Sequence, residues 1–379
     1  MTDELRDVGG RFAIAGRFAD ARPLGRGHIH ETFVSSWERG GARTGYVHQR
    51  INTRVFSDPA VVMQNIVRVT THLRAALARR GVRDLERRVL TLIPARDGRP
   101  FVTAPDGSVW RTFLLVEGAV TREIVAGPAQ AFESARAFAT FAGLLADLPA
   151  PPLAVTLPGF HDLAKRFRDF EAAVASDACG RAAGVRAEIE TTRAAYSEVT
   201  GLLAAADPSQ APRRVMHHDC KLNNLLLDAQ TGEALCVIDL DTVMQGSVLS
   251  DFGELVRTAT HRSAEDETRL ETIAFELELF EALARGYAAG ARDWLSEAEG
   301  RLLPLAGPTL ALMNAIRFLA DHVVGDFYFR VHRAGQNLDR HRAQLTLVRR
   351  MLERLPEARR IVSAALDEAG SALARDGRP

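Results

Sequence analysis

The chain has 379 residues, 46% of them hydrophobic and 25% charged, with 48 basic side chains balanced by 48 acidic ones. That apolar content without net charge excludes an intrinsically disordered chain, and the neutral balance argues against broad electrostatic capture of nucleic acid. No uninterrupted apolar stretch approaches the roughly 20 residues that cross a bilayer, so a membrane protein is not expected.

The polar start, Met1-Thr2-Asp3-Glu4-Leu5-Arg6, lacks a secretory apolar region, and a cytoplasmic protein is expected. Three cysteines, Cys179, Cys220 and Cys236, are too few for a disulfide framework and lack metal-ligand spacing. Only Lys165 and Lys221 are lysines. Any step that needs a lysine therefore has two candidates.

In chain order, Leu24-Gly25-Arg26-Gly27-His28-Ile29-His30 is a short glycine-rich turn ahead of the first expected strand. Gly25 and Gly27 give a weak phosphate-binding signal by themselves, and the His28-x-His30 pair is not read as a metal site. Strands are expected over 33–36, 46–51, 89–93, 101–103 and 109–116, separated by turn signals at Gly40-Gly41, Asp97-Gly98 and Pro105-Asp106-Gly107. Between the second and third, Ser57-Asp58-Pro59 reads as the start of a helix. Val62, Ile66, Val69, Leu73 and Leu77 then recur at helical spacing until Gly81. Beyond residue 125 helical periodicity runs through 128–147, 162–176, 184–205, 265–288, 305–330 and 339–375, interrupted by a short β region at 225–240.

That interruption carries the chemistry. Apolar runs ending at Leu227 and restarting at Ala234 flank turn residues 228–233, which predicts a β-hairpin. Centred near Thr231-Gly232, it would set Asn224 opposite Asp239, about 5 Å apart. An amide oxygen and a carboxylate at that separation suit a magnesium ion, which prefers oxygen ligands and keeps room for phosphates. Asp219 precedes Asn224 by five residues. Asp, then Asn, then Asp is the order of the kinase catalytic loop: a base for the acceptor hydroxyl, followed by two metal ligands. Lys221, two residues after Asp219, supplies compact positive charge for the γ-phosphoryl group. Asp251-Phe252-Gly253 spells the protein-kinase magnesium motif but lies beyond the hairpin, so Asp251 is expected to bind backbone amides beside the loop instead.

The His217-x-Asp219-x4-Asn224 loop and Ile238-Asp239 resemble the aminoglycoside phosphotransferase and choline kinase-like superfamily. Within it, Asp219-Cys220-Lys221-Leu222-Asn223-Asn224, Ile238-Asp239-Leu240-Asp241-Thr242 and Arg317-Phe318-Leu319-Ala320-Asp321 are similar to the N-acetylhexosamine 1-kinase branch. The resemblance implies an α+β, bilobal protein-kinase-like fold, with a small β-rich N-lobe at 1–118 and a larger α-helical C-lobe at 119–379. It implies transfer of the ATP γ-phosphate to the anomeric hydroxyl of an N-acetylhexosamine, with Mg2+. The sugar would be held by His28, Asp219, Asp239, Asp241 and Arg317. Strand alternation would turn Asp241 to the same side as Asp239. Acceptors such as an aminoglycoside, choline or another small alcohol are the alternative, as is a nucleotide-binding pseudokinase.

One departure stands out. Protein kinases pair a strand lysine with a helix glutamate, yet 46–51 holds no lysine and 59–83 no carboxylate. Gln49 or Arg50 is expected on the phosphates instead, with Gln64 or Asn65 as a partner. Residues 114–118, including Glu117, would form the segment whose backbone binds adenine. The expected partners are ATP and a small sugar, and the expected assembly is a monomer or small homo-oligomer.

Overall fold

The apolar alternation of the first 120 positions becomes a six-stranded antiparallel sheet. The computed structural model describes residues 2–24 and 29–376. Gly25, Gly27 and His28 lie outside the described residues. A first helix, α1 (Thr2–Gly10), leads into β1 (Arg17–Pro23), β2 (Glu31–Arg39) and β3 (Ala42–Arg50). After α2 (Pro59–Arg79) come β4 (Leu92–Ile93), β5 (Val102–Thr103) and β6 (Val109–Leu114). The order across the sheet is β1-β2-β3-β6-β4, with β5 also on β6.

The expected strands all form, although only Leu92–Ile93 of 89–93 is extended because 85–88 closes into a helical turn. Sequence pattern missed α1 and β1. β1 is an edge strand with no buried residue, so it shows no alternation. α1 is short, but Leu5 and Val8 pack with Phe12, Trp37, Tyr46 and Trp110 in one core. The α2 start is as read: the Asp58 carboxylate accepts the Ala60 and Val61 amides at 3.0 and 3.2 Å. A cap of this kind contributes about 1 kcal/mol.

The chain packs as two units, and the first is Met1–Thr121 together with Asp147–Leu157 and Leu225–Met244. The hairpin thus belongs with the N-terminal sheet unit. Its strands, Leu225–Asp228 and Ala234–Val237, pair Leu225 with Val237, Leu226 with Cys236 and Leu227 with Ala234, with an irregularity between Ala234 and Cys236. Arg87 reaches Asp228 at 2.8 Å and Arg88 reaches Glu233 at 2.9 Å, tying its turn to the Leu85–Arg88 helix. The register expected between Asn224 and Asp239 does not form. The ladder ends at Leu225 and Val237; Asn224 closes a 3-10 turn (Leu222–Asn224), and Asp239 heads another (Leu240–Thr242) in the left-handed region at φ 61°.

The second unit is Arg122–Ala146, Pro158–Asn224 and Gln245–Pro379, and is built of helices. Its long helix, Glu297–Val324, has 28 residues and is apolar enough by length and composition to cross a membrane. In its most apolar stretch 89% of residues are buried inside the protein, which is the signature of a core helix. The periodicity at 305–330 therefore begins eight residues earlier, at Glu297, and 339–375 resolves into Gln336–Glu353 and Leu355–Asp376. Of 265–288, the α-helix begins only at Leu277 and runs to Ala291, after a short 3-10 turn at Leu270–Thr272. The helix Val248–Ala259 escaped the pattern reading because its first turn spells Asp251-Phe252-Gly253. Gly253 is there for packing: a Cβ would sit 2.5 Å from the Ala306 carbonyl, so glycine lets the two helices cross closely.

Candidate active site

In the helical unit, the strand Arg214–Met216 runs into a loop that two buried anchors hold in shape. The first is Asp251, whose carboxylate accepts the His217 and His218 amides at 2.9 and 2.7 Å. Asp251 is thus the backbone clamp expected of it, set in the first turn of a helix that Ser247 caps. The second is the imidazole of His217, which accepts the Asp219 amide at 3.2 Å and is wedged edge-on by Phe138 and Phe141. His218 takes a left-handed conformation at φ 68°. Its ring lies where a Cβ on Gly246 would be only 2.3 Å away, so residue 246 must be glycine for the ring to lie there.

The loop delivers Asp219, Lys221 and Asn224 to one place. Asn224 donates its NH2 to the Asp219 backbone carbonyl at 2.8 Å and to its carboxylate at 2.7 Å. Lys221 lies 3.0 Å from the other carboxylate oxygen. The side chains of Asp219 and Lys221 keep 22% and 30% of their surface exposed, open enough to meet a ligand. Cys220, between them, points into the core; burial, with Asp251 beside it, pushes its thiol pKa well up and leaves it unreactive.

Behind the loop lies a charge layer that sequence reading missed. Glu254 is buried and bonded to Arg257. Burial works to raise its pKa, but Arg257, with Lys221 and His161, holds it down at about 2. His161 stacks on Phe160 with ring centres 4.4 Å apart and meets His218 at 3.4 Å. Burial, reinforced by His218, drops its pKa to about 3, so it is neutral at physiological pH.

Arg317 lies on the long core helix, where a guanidinium needs partners. It finds faces rather than anions: its charge lies 5.8, 5.6 and 5.1 Å from the rings of Phe160, Tyr328 and Phe329. Burial, with Arg166 nearby, lowers its pKa. A cavity of about 230 Å³ opens beside Arg317, Arg166, Asp169 and Tyr328. The Tyr328 end of that wall is rigid because Asp321 accepts the amides of Phe327, Tyr328 and Phe329.

In the sheet unit the outcome differs from expectation. Asp239 is half-buried, but Asp241 does not face open space; strand alternation fails because 240–242 is a 3-10 turn. Asp241 is 2% exposed and forked against Arg111, which is 1% exposed, with both oxygen–nitrogen distances 2.6 Å. Burial alone would raise its pKa; Arg111 and His30 hold it far below the usual carboxylate range. Asp241 is therefore committed inside the protein rather than to a sugar.

His30, Asp239 and Asp241 bring ligand atoms within 4.8 Å of one another, the spacing of a metal site. Two of the three are spoken for. His30 Nδ1 accepts the Asn52 amide at 3.0 Å, so in the neutral ring Nε2 carries the proton and faces Asp241 at 3.5 Å. Asp241 has both oxygens on Arg111.

Both candidates for phosphate contact are also engaged. Gln49 accepts Arg111 Nε at 2.9 Å and donates to Thr32 at 3.3 Å. Arg50, its neighbour on the opposite face of β3, pairs with Glu31 and Asp106 at 3.4 and 3.3 Å at the surface. The suggested partner Asn65 bonds backbone at Ala154 and Val243. Glu117 is exposed. Arg111 is the buried charge that sequence reading missed; its signal was an arginine inside the apolar strand Val109–Leu114.

Residues 20–299 match the model of the Phosphotransferase enzyme family, APH. Among solved structures, the chain is similar to an aminoglycoside phosphotransferase from Alicyclobacillus acidocaldarius (14% identity, 94% of this chain and 96% of that one, TM-score 0.61). It is also similar to a microcompartment-associated aminopropanol kinase (19% identity, 94% and 98%, TM-score 0.58). A third is the spectinomycin phosphotransferase APH(9)-Ia in complex with ADP and spectinomycin (9% identity, 93% and 99%, TM-score 0.55). At these identities the likeness is one of fold, and it agrees with an α+β chain whose N-terminal region is a β-sheet and whose C-terminal region is helical.

Proposed function

The chain belongs to the phosphotransferase enzyme family, and from that premise we propose that it transfers the ATP γ-phosphoryl group to the anomeric hydroxyl of an N-acetylhexosamine. A small-molecule phosphotransferase follows from membership; the nucleotide, the cation and the sugar are the proposal. The observation that carries it is the catalytic-loop geometry: one Asp219 oxygen takes the Asn224 amide, the other faces Lys221, and Asp251 clamps the backbone behind them.

In this reading Asp219 orients the acceptor hydroxyl and takes its proton as the phosphoryl group arrives. Lys221 offsets negative charge on the transferring group. Positioning and charge supply the rate, with no covalent intermediate on the protein. On motif order alone, Asn224 and Asp239 are the residues that would hold the metal. Their chemistry suits magnesium: Asp239 is a carboxylate, and Asn224, with its NH2 turned to Asp219, presents its amide oxygen the other way. A bound divalent cation supplies neutralisation of phosphate charge.

Arg317 favours a neutral polyol acceptor. A choline, amino-alcohol or aminoglycoside would bring positive charge toward Arg317 and Arg166, whereas the Arg317 guanidinium, bonded only at 3.4 and 3.5 Å to Asn314 and Tyr328, has N–H groups that suit hydroxyl and amide oxygens. The test is ADP release with ATP, Mg2+ and a panel of N-acetylglucosamine, N-acetylgalactosamine, choline and aminoglycosides. Formation of an N-acetylhexosamine 1-phosphate supports the reading. Turnover confined to the cationic acceptors removes the sugar assignment, and nucleotide binding without transfer to any of the panel removes it too, leaving another small alcohol or a nucleotide-binding pseudokinase.

A further inference from the structure

We infer that Arg111 is a positioning residue for the turn that carries Asp239, an inference that rests on the metal role proposed for that residue. The buried fork between Arg111 and Asp241 is one of three holds on the segment 239–243. From β6, Arg111 takes both carboxylate oxygens of Asp241 at 2.6 Å. Thr156 donates its hydroxyl to the Asp241 backbone carbonyl at 2.8 Å. Asn65, from the second turn of α2, donates to the Val243 carbonyl at 3.4 Å while exchanging bonds with Ala154. Side chain and backbone of the same turn are thus gripped from three directions.

The grip matters because Asp239 lies two residues before Asp241 in an unfavoured conformation. Its φ of 61° belongs to the left-handed region, which a non-glycine residue keeps only when its surroundings impose it. Arg111 cannot serve as the phosphate-binding cation that β3 lacks, because Asp241 neutralises it and Gln49 takes its remaining edge. Gln49 in turn is held by Thr32, so β2, β3 and β6 all support the fork. A charge pair buried this deeply contributes little net stability over a hydrophobic pair of like volume, which leaves geometry as the reason for having it.

The experiment measures Mn2+ binding in the presence of ADP by electron paramagnetic resonance, with Mg2+ activation curves alongside. The Arg111→Met/Asp241→Leu double variant removes the pair without stranding a charge. If the fork positions Asp239, that variant stays folded by circular dichroism, while the Mn2+ dissociation constant and the Mg2+ concentration for half-activity both rise about 10–100-fold. The acceptor KM stays near wild type. Thr156→Val, which removes one backbone hold and no charge, shifts both constants in the same direction by less. Arg111→Lys keeps the charge, loses the fork, and weakens the metal as well; it and Thr156→Val decide the question if the double variant is unfolded. Wild-type Mn2+ affinity in the folded variants overturns the inference. Asp239→Asn separates the two layers. If it alone weakens Mn2+, the metal assignment stands and the positioning role falls. If it too binds Mn2+ normally, the assignment itself is lost and the inference with it.

Discussion

Asn224 donates its side-chain amide to the Asp219 carboxylate across 2.7 Å. The contact orients both groups at once: the amide cannot flip without losing it, and one Asp219 oxygen is fixed while the other is left toward Lys221. A base that is already oriented loses little by waiting for its substrate.

Asp219→Asn removes the proton acceptor, and its single amide oxygen can accept from Asn224 or face Lys221 but not both. Turnover is expected to fall about 10²–10⁴-fold, the range for a positioned general base. Nucleotide affinity should hold, since the change is confined to the acceptor side of the reaction. Steady-state ADP release with calorimetric ADP binding reads both quantities; a variant still turning over at the wild-type rate would exclude Asp219 as base.

Lys221 separates function from stability. Its pair with Asp219 is partly exposed, and such pairs contribute about 0–1 kcal/mol. Lys221→Met should therefore unfold at nearly the wild-type temperature, yet lose about 10²–10³ in kcat, the usual effect of removing a group aimed at transition-state charge. Equal losses in melting temperature and activity would make Lys221 a structural residue.

Glu254 and Arg257 predict a pH effect of definite sign. The folded Glu254 pKa is about 2, below its ordinary 4.5, so the carboxylate stabilises the fold above about pH 4.5 and loses that contribution as pH falls toward 2. Glu254→Gln leaves the buried Arg257 with only the longer contacts to Glu265 and Gln344, both 3.5 Å, and should cost about 1.5–3 kcal/mol at neutral pH. Urea unfolding of both proteins from pH 7 to pH 3 checks it. The stability gap should narrow below pH 4.5; a gap constant across that range contradicts the assigned cause.

The loop was legible because its residues act within a few positions of one another. His217, Asp219, Lys221 and Asn224 share one turn of backbone, and spacing alone predicts that they meet. Asp251 was legible by elimination, since a magnesium role did not suit its place after the hairpin. Asp241 was misread because alternation assumes a strand, and one irregularity near Leu235 with a 3-10 turn after Asp239 redirects every later side chain. Arg111 was invisible for a different reason. Its partner is 130 residues away, and an arginine among apolar strand residues announces only that some partner exists. Nothing local names Asp241. The same holds for Arg317: an arginine in an apolar helix needs some partner, and nothing local says that it meets aromatic faces.

Those faces make the last prediction specific. Arg317 is planar and lies within about 6 Å of three rings, contacts a lysine ammonium reproduces poorly. If its N–H groups hold the acceptor, Arg317→Lys loses charged hydrogen bonds of about 1.5–3 kcal/mol, or roughly 10–150-fold in acceptor kcat/KM. The ATP KM should not move, because the change touches the acceptor side alone. Arg317→Met keeps the apolar packing and removes every donor, so it should fold normally and lose at least as much. If Arg317 only fills space among Phe160, Tyr328 and Phe329, the order reverses: Arg317→Met keeps its acceptor KM, and both variants differ from wild type mainly in melting temperature. Acceptor and ATP titrations on the two variants, with a thermal scan of each, tell the cases apart.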